Sequence, residues 1–316
     1  MPAYNCETEI KKAIESVLSQ TFSDFELIII DDGSKDRTPE IAESFAQADE
    51  RIRLIKAEHG GVSAARNRGI LEARKENILF LDSDDTWDSC LLQCCAEHVG
   101  EEDTLLVFGI RSDYYDKAGT LASSQNRFPE TGDVSLLKMD DTILQHFNRG
   151  MFFSQCDKVF KREILLKFGI LFDENCVYLE DFKFNLEYLV HIRKVKVLHR
   201  NLYFYRLLLE EKQILKRNFK GLFVNADAVY ASCEKLSKHN GWSFPTDSVF
   251  VPLLLKTYFC ELLSHAYGKS AKEQNQILTM LNANIQYKEL LQNANGKFFR
   301  LFKSAKHSDL KKYNYQ

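Results

Sequence analysis

The sequence contains no apolar run of about 18 residues, so it offers no membrane-spanning helix. Its opening, Met1-Pro2-Ala3-Tyr4-Asn5, does not lead into an apolar segment, and no signal peptide is expected. Neither GxGxxG nor GxxxxGK[ST] occurs, which argues against NAD-linked and ATPase chemistry. Charge of one sign is also lacking: 42 Lys and Arg against 45 Asp and Glu leave −3. A global basic field for nucleic acid is therefore absent. The eight cysteines include no CxxC pair. Cys90, Cys94 and Cys95 cluster, with His98 the sole nearby fourth ligand for zinc. Buried free thiols in a reducing cytoplasm explain the same pattern without a metal.

What the chain does have is an apolar run that ends in carboxylates, Ile78-Leu79-Phe80-Leu81-Asp82-Ser83-Asp84-Asp85. Such a run reads as a buried strand reaching the surface at its C-terminal end, where open α/β sheets bind ligands. Asp-x-Asp suits a hard divalent ion, Mn²⁺ or Mg²⁺, with positions left open for phosphate. A solvated acidic turn is the competing explanation. Asp31-Asp32-Gly33-Ser34 ends a second apolar strand, Glu26–Asp31. Two acidic ends in one parallel sheet face the same edge, which favours a shared ligand site; Ser34 and Asp36 are read as turn chemistry.

Strands are expected also at Ile52–Ile55 and Leu105–Phe108. Helices are expected over Ile10–Leu18, from Thr38-Pro39 through Phe45, and over Val62–Ala73. This alternation predicts a doubly wound, mostly parallel α/β sheet. Further helices are expected near Leu136–Phe147, Lys161–Phe168 and Asp181–Ile192, then a strand at Val195–Leu198. From about residue 211 the pattern turns helical. One apolar stripe is Leu222, Ala226, Val229, Cys233 and Leu236, and another is Phe250, Leu254, Tyr258 and Leu262. The expected division is a catalytic domain over 1–210 and a helical subdomain over 211–316.

Other positions carry two readings each. Asn5 can cap the first helix, and Tyr4 is either a core ring or a platform for a planar base. The stretch Gly60 to Gly69 is a glycine turn opening a helix of small residues, and a helix start favours anions. Arg66 on it faces either a phosphate or solvent. Glu180-Asp181 opens a helix, where acids are stabilised as anions; Asp181 can also serve as a general base. Gly296 to Lys303 interleaves bases with aromatics, as either a membrane-surface segment or a packed helix does.

Together these residues resemble the family 2 glycosyltransferases of the GT-A fold. The resemblance runs through Pro2 to Asn5, Ser19 to Phe22, Glu26 to Ser34, Gly61 to Gly69, Leu81 to Asp85, Glu180-Asp181 and Tyr203 to Arg206, about 1–210 in all. It implies that Pro2, Ala3, Tyr4, Asn5, Asp32, Arg66, Asp82 and Ser83 hold the nucleotide, Tyr4 stacking on the base and Asp32 bonding its edge. It implies that Asp84 and Asp82 serve the metal and that Asp181 is the catalytic base. The expected reaction moves a sugar from a nucleoside diphosphate donor, UDP-linked, to an acceptor hydroxyl with inversion. The acceptor is expected to be a glycan or lipid-linked, in surface polysaccharide or glycolipid synthesis. The protein is expected in the cytoplasm, in possible peripheral contact with the membrane.

Two departures stand out. The family places an apolar strand before Pro-x-Tyr-Asn, whereas this sequence opens on the motif. The expectation is a sheet short of its first strand, from a displaced start or with a damaged nucleotide site. The Gln-x-x-Arg-Trp motif of processive synthases is also absent, which implies one sugar per encounter. Two other classes compete: a non-catalytic nucleotide-sugar-binding or scaffold protein, and a nucleotidyltransferase, whose glycine-rich basic loop is not visible.

Overall fold

The structure, a computed structural model, describes residues 1–100, 103–127, 132–137, 151–176, 179–208 and 219–241. The chain divides into two compact units, one of Met1–Glu211 with Lys238–Trp242, the other of Lys212–Ser237 with Ser243–Gln316.

The first unit begins with a wholly parallel three-stranded sheet of β1 (Pro2–Ala3), β2 (Leu27–Asp31) and β3 (Ile52–Lys56), in that order. Every residue of β2 is buried, which is why Leu27 to Ile30 is a continuous apolar run rather than an alternating one. Helices Ile10–Leu18, Thr38–Ala48 and Val62–Glu72 connect the strands. The first turns Ile10, Ala13, Ile14 and Val17 inward at helical spacing. Burying each large aliphatic side chain of this core stabilises the fold by about 1.5–3 kcal/mol.

The remaining described strands form a mixed sheet. Its path is β4 (Asn77–Ile78), β9 (Lys158–Lys161), β6 (Thr104–Tyr115), β10 (Lys194–Leu208) and β5 (Thr86–Trp87). β7 (Leu121–Arg127) pairs with β6, and β8 (Val134–Ser135) pairs with β10. β6 and β10 run parallel; the other pairings are antiparallel. β10 is much longer than the Val195–Leu198 strand expected from sequence. Register shifts between Leu198 and Tyr203 carry it past its polar middle. Helices Arg162–Phe168 and Glu180–Leu189 complete this unit's core.

In the second unit the helix Phe219–His239 runs from Phe219 through Ser237, and Val229, Cys233 and Leu236 of the expected stripe are buried. The 250–262 stripe, the 296–303 segment and the Leu136–Phe147 helix beyond its first two residues lie outside the described residues. Leu136 and Leu137 themselves form a turn after β8.

The run Ile78 to Leu81 departs from expectation. Only Asn77 and Ile78 pair in a ladder, antiparallel to Lys161 and Phe160. Phe80 and Leu81 are buried but unassigned. The physical reason lies beside them: a cavity of about 290 Å³ separates this run from β2, lined by Met1, Ile28, Ile70, Leu79, Trp87 and Val159 among others. Met1 enters its rim, its ammonium donating to Ile28 O at 2.8 Å. Burial drives that ammonium down from 8.0 to about 5, against the pull of Asp82.

Candidate functional site

The C-terminal ends of β1 and β2 deliver the first group of residues. Asp32 N donates to Ala3 O at 2.9 Å, extending the β1–β2 ladder by one rung. Asn5 adopts φ 47°, a left-handed conformation that Asn tolerates better than most residues. Its side chain does not cap the Ile10 helix as expected. Instead Asn5 Oδ1 accepts from Lys35 N at 2.7 Å, while Asn5 N donates to Ser34 Oγ at 3.0 Å. Asp36 accepts from Glu7 N and Thr38 N. Ser34, Asp36 and Asn5 thus tie two loops together, consistent with a structural reading of the first two.

Asp32 is buried at 4% exposure, held by Gly60 N on Oδ1 at 2.7 Å and Gly61 N on Oδ2 at 2.9 Å. Gly61 sits at φ 89°, which only glycine adopts readily, and this turn aims both N–H groups at the carboxylate. Gly33, at φ 75°, is equally constrained, since a Cβ there would lie 3.0 Å from His59 N. His59, which no motif singles out, places Nδ1 2.8 Å from Asp32 Oδ2 and stacks on Tyr4 with centroids 4.3 Å apart.

One turn into the helix that Gly61 opens, Arg66 is 5% exposed and bridges two carboxylates. Nη1 donates to Asp181 Oδ1 at 2.8 Å and Nη2 to Asp82 Oδ1 at 2.9 Å. Small neighbours at Ser63 and Ala65 leave room for the helix to be buried on this face. Burial opposes the Arg66 cation, but Asp181 and Asp82 outweigh it and hold the guanidinium charged. Its plane lies over Phe172, 5.3 Å from the ring centre. Phe172 stacks at 4.0 Å on Phe184, from the helix that carries Asp181, and Phe80 packs edge-on against both. An aromatic core thus sets the distance between the helix that carries Asp181 and the helix that carries Arg66.

Asp181 lies in the first turn of the Glu180–Leu189 helix, after Leu179 at φ 60°. Desolvation raises its carboxyl from 3.8 to about 7, with Arg66 pulling down and Glu180 and Asp82 pushing up. Two residues that sequence reasoning missed complete the cluster. With its amide oriented to satisfy both neighbours, Gln155 donates to Asp181 Oδ2 at 2.7 Å and accepts from Arg66 Nη2 at 2.7 Å. Cys156 Sγ lies 3.6 Å from Asp82 Oδ2. Their loop is fastened by the fully buried Lys158, donating to Met151 O at 2.6 Å, and by Asn185, donating to Phe152 O at 2.7 Å. No motif spacing links 155 to 181, so only the fold could reveal this contact.

The acidic turn divides by role. Asp82 faces Arg66, Ser83 beside it is half-buried, and Asp84 is exposed. Desolvation and repulsion from Asp82 hold the Asp84 carboxyl above its ordinary value. Asp85, 1% exposed, accepts from Tyr203 OH at 2.5 Å and Arg206 N at 2.8 Å. Tyr203 OH in turn accepts from Asp82 N at 3.2 Å. Asp85 is therefore the anchor of the turn to β10 rather than a plain turn residue.

Among the described residues no three His, Cys, Asp or Glu side chains converge as a preformed metal cage. Asp82 and Asp84 are two oxygen donors whose mutual repulsion a cation would relieve. That suits Mn²⁺ or Mg²⁺ held jointly with substrate phosphates. The cysteine cluster is occupied otherwise: Arg200 donates to Cys94 Sγ at 3.0 Å and to Cys90 Sγ at 3.1 Å, and His98 Nδ1 lies 2.8 Å from Cys94 O. The described cysteines are free thiols. Among the described residues no helix is long and apolar enough to cross a membrane.

The family model for glycosyl transferase family 2 matches residues 1–168. An uncharacterized glycosyltransferase of Bacillus subtilis, EpsJ, is 35% identical over 207 residues, covering 65% of this chain and 59% of that protein. The minor teichoic acid biosynthesis protein GgaA of the same organism is 34% identical over 233 residues, covering 69% and 49%. The chain thus spans roughly half to three-fifths of the length of these relatives. Among solved structures, S. aureus TarS 1–349 in complex with UDP superposes with TM-score 0.65 at 22% identity, over 99% of this chain and 87% of that one. The likeness identifies the fold as that of GT-A glycosyltransferases.

Proposed function

Because this chain belongs to glycosyl transferase family 2, we propose that it transfers a sugar from a nucleoside diphosphate, UDP-linked, to an acceptor hydroxyl with inversion. The observation that carries this reading is the buried Arg66 bridge between Asp82 and Asp181. It places a donor-side carboxylate and a carboxyl titrating near neutrality against one guanidinium. TarS, a structural neighbour, was solved with UDP and with UDP-GlcNAc, which supports the choice of nucleotide.

In this reading Tyr4 presents its ring to the base and Asp32 accepts from an N–H on the base edge. Pro2 and Ala3 give the backbone wall, with Asn5 fixing the loop. Asp82 and Ser83 face the ribose side, and Asp84 with Asp82 holds a divalent ion. That ion, when bound, stabilises negative charge on the departing diphosphate. Asp181 takes the proton from the acceptor hydroxyl as its oxygen attacks the anomeric carbon from the face opposite the diphosphate. Gln155 and Arg66 hold the Asp181 carboxyl in orientation and keep it from swinging toward solvent. The acceptor is a glycan or lipid-linked chain of a surface polymer, a class that the teichoic acid relative supports. The work is done in the cytoplasm, and the basic and aromatic sequence Gly296 to Lys303 is the candidate for peripheral membrane contact.

Calorimetric titration with UDP tests the donor assignment. Binding in Mn²⁺ should be at least about tenfold tighter than in EDTA, since a divalent ion would be held jointly by Asp82, Asp84 and the diphosphate. Equal affinity in both buffers would contradict the metal assignment, and no binding in either would contradict the nucleotide.

A further inference from the structure

His59 occupies the place where a nucleobase would lie. Its ring stacks on Tyr4 with centroids 4.3 Å apart and planes at 22°. Its Nδ1 faces two acceptors, Asp32 Oδ2 at 2.8 Å and Asp32 O at 3.1 Å, and so carries the proton. A flat heteroaromatic ring on Tyr4 with an N–H aimed at Asp32 is the same pair of contacts proposed above for the base. We infer that His59 is a resident stand-in for the nucleobase, holding the subsite shut until the donor displaces it.

The inference rests on the assignment of Tyr4 and Asp32 to the base, and three observations carry it further. First, a centroid separation of 4.3 Å leaves no room for a second ring between Tyr4 and His59, so a base stacking on that face must displace the imidazole. Second, the contacts of Asp32 are of two kinds. Gly60 N and Gly61 N belong to the backbone and position the carboxylate permanently. The His59 contact to Oδ2 is the exchangeable one, and an incoming N–H can replace it with no unpaired group left behind. Third, the departing ring has somewhere to go: the His59 side chain is 56% exposed and Tyr4 45%. Rotation about the His59 side-chain torsions carries the ring outward while Gly60 N and Gly61 N stay on Asp32. The stand-in also states what the subsite accepts. A carboxylate without a proton takes only donors, so the base must offer an N–H on the edge beside the stack.

Displacing a stacked ring and one hydrogen bond lowers donor affinity, so removing His59 should raise it. Titrating uridine and UDP into the wild-type chain and His59→Ala tests this. The expected result is on the order of tenfold tighter binding of both ligands to His59→Ala, with pyrophosphate affinity unchanged. Weaker or unchanged binding of uridine by His59→Ala would overturn the stand-in, showing a sandwich or a bystander instead. Tyr4→Ala and Asp32→Asn separate the underlying assignment: both should weaken uridine binding. If neither does, or if the wild-type chain binds no UDP, the base subsite itself is wrong and the stand-in falls with it.

Discussion

Asp181→Asn should lower the turnover number by about 10²–10⁴-fold, the range for losing a positioned proton acceptor, and change UDP affinity by less than about threefold. The asymmetry follows from geometry. Asparagine keeps an oxygen for Arg66 Nη1 and the same volume; it gives up the one hydrogen bond from Gln155, whose oxygen stays on Arg66, while the Arg66 contact to Asp82 on the donor side is unchanged. The wild-type pH profile gives an independent readout. Burial, opposed by Arg66, brings the Asp181 carboxyl to about 7. Only its ionised form accepts a proton, so kcat/KM, which reports the free enzyme, should rise with pH through about 7 and level off above. Steady-state kinetics from pH 5.5 to 8.5 check both statements. A variant retaining full turnover, or a wild-type profile flat through this window, would move the base elsewhere.

Asp84→Ala should cost transfer at least about 10²–10³-fold, because a metal ion contributes several kcal/mol to charge that develops only in the transition state. Unlike Asp181→Asn, it should also abolish the difference between UDP titrations in Mn²⁺ and EDTA. Folding should be untouched, since Asp84 is exposed and repels its neighbour Asp82. Its neighbour in sequence behaves oppositely. Asp85→Ala leaves Tyr203 OH and Arg206 N without their partner in a buried site. About 1–3 kcal/mol of stability should be lost for each unsatisfied group. Thermal melts set beside the titrations separate the two aspartates. A melt unchanged in Asp85→Ala would show that the turn needs no anchor.

Much of the proposed nucleotide side was legible as a candidate because its residues lie in short motifs at strand ends. Asp32 follows β2 directly and the Asp82 turn follows an apolar run, so each was legible as the end of a strand; the single parallel sheet expected to carry both was not found, since β2 and β4 lie in different sheets. Arg66 was legible as a helix residue but not as a buried one; only its meeting with Asp181, 115 positions away, shows its two partners. Gln155, Cys156 and His59 were not legible. Each acts through a contact fixed by tertiary packing, and none sits in a residue pattern that demands chemistry. The anchoring role of Asp85 was not legible, because its partner Tyr203 is 118 positions distant. The strand expected over Ile78 to Leu81 shortened to two residues because pairing needs a neighbour, and a cavity stands there. The antiparallel pairings around β6 and β9 were likewise invisible, since strand direction is set by connections and not by a strand's own residues.

Release of UDP tests the central claim most directly. The measurement is UDP freed from a panel of UDP-sugars by the wild-type chain in Mn²⁺, beside Asp181→Asn under the same conditions. A transferase releases UDP from at least one donor, slowly to water and faster with an acceptor, and loses that release in the variant. Tight UDP binding with no release from any donor, with or without glycan or lipid-linked acceptors, would contradict it and leave a nucleotide-sugar-binding scaffold.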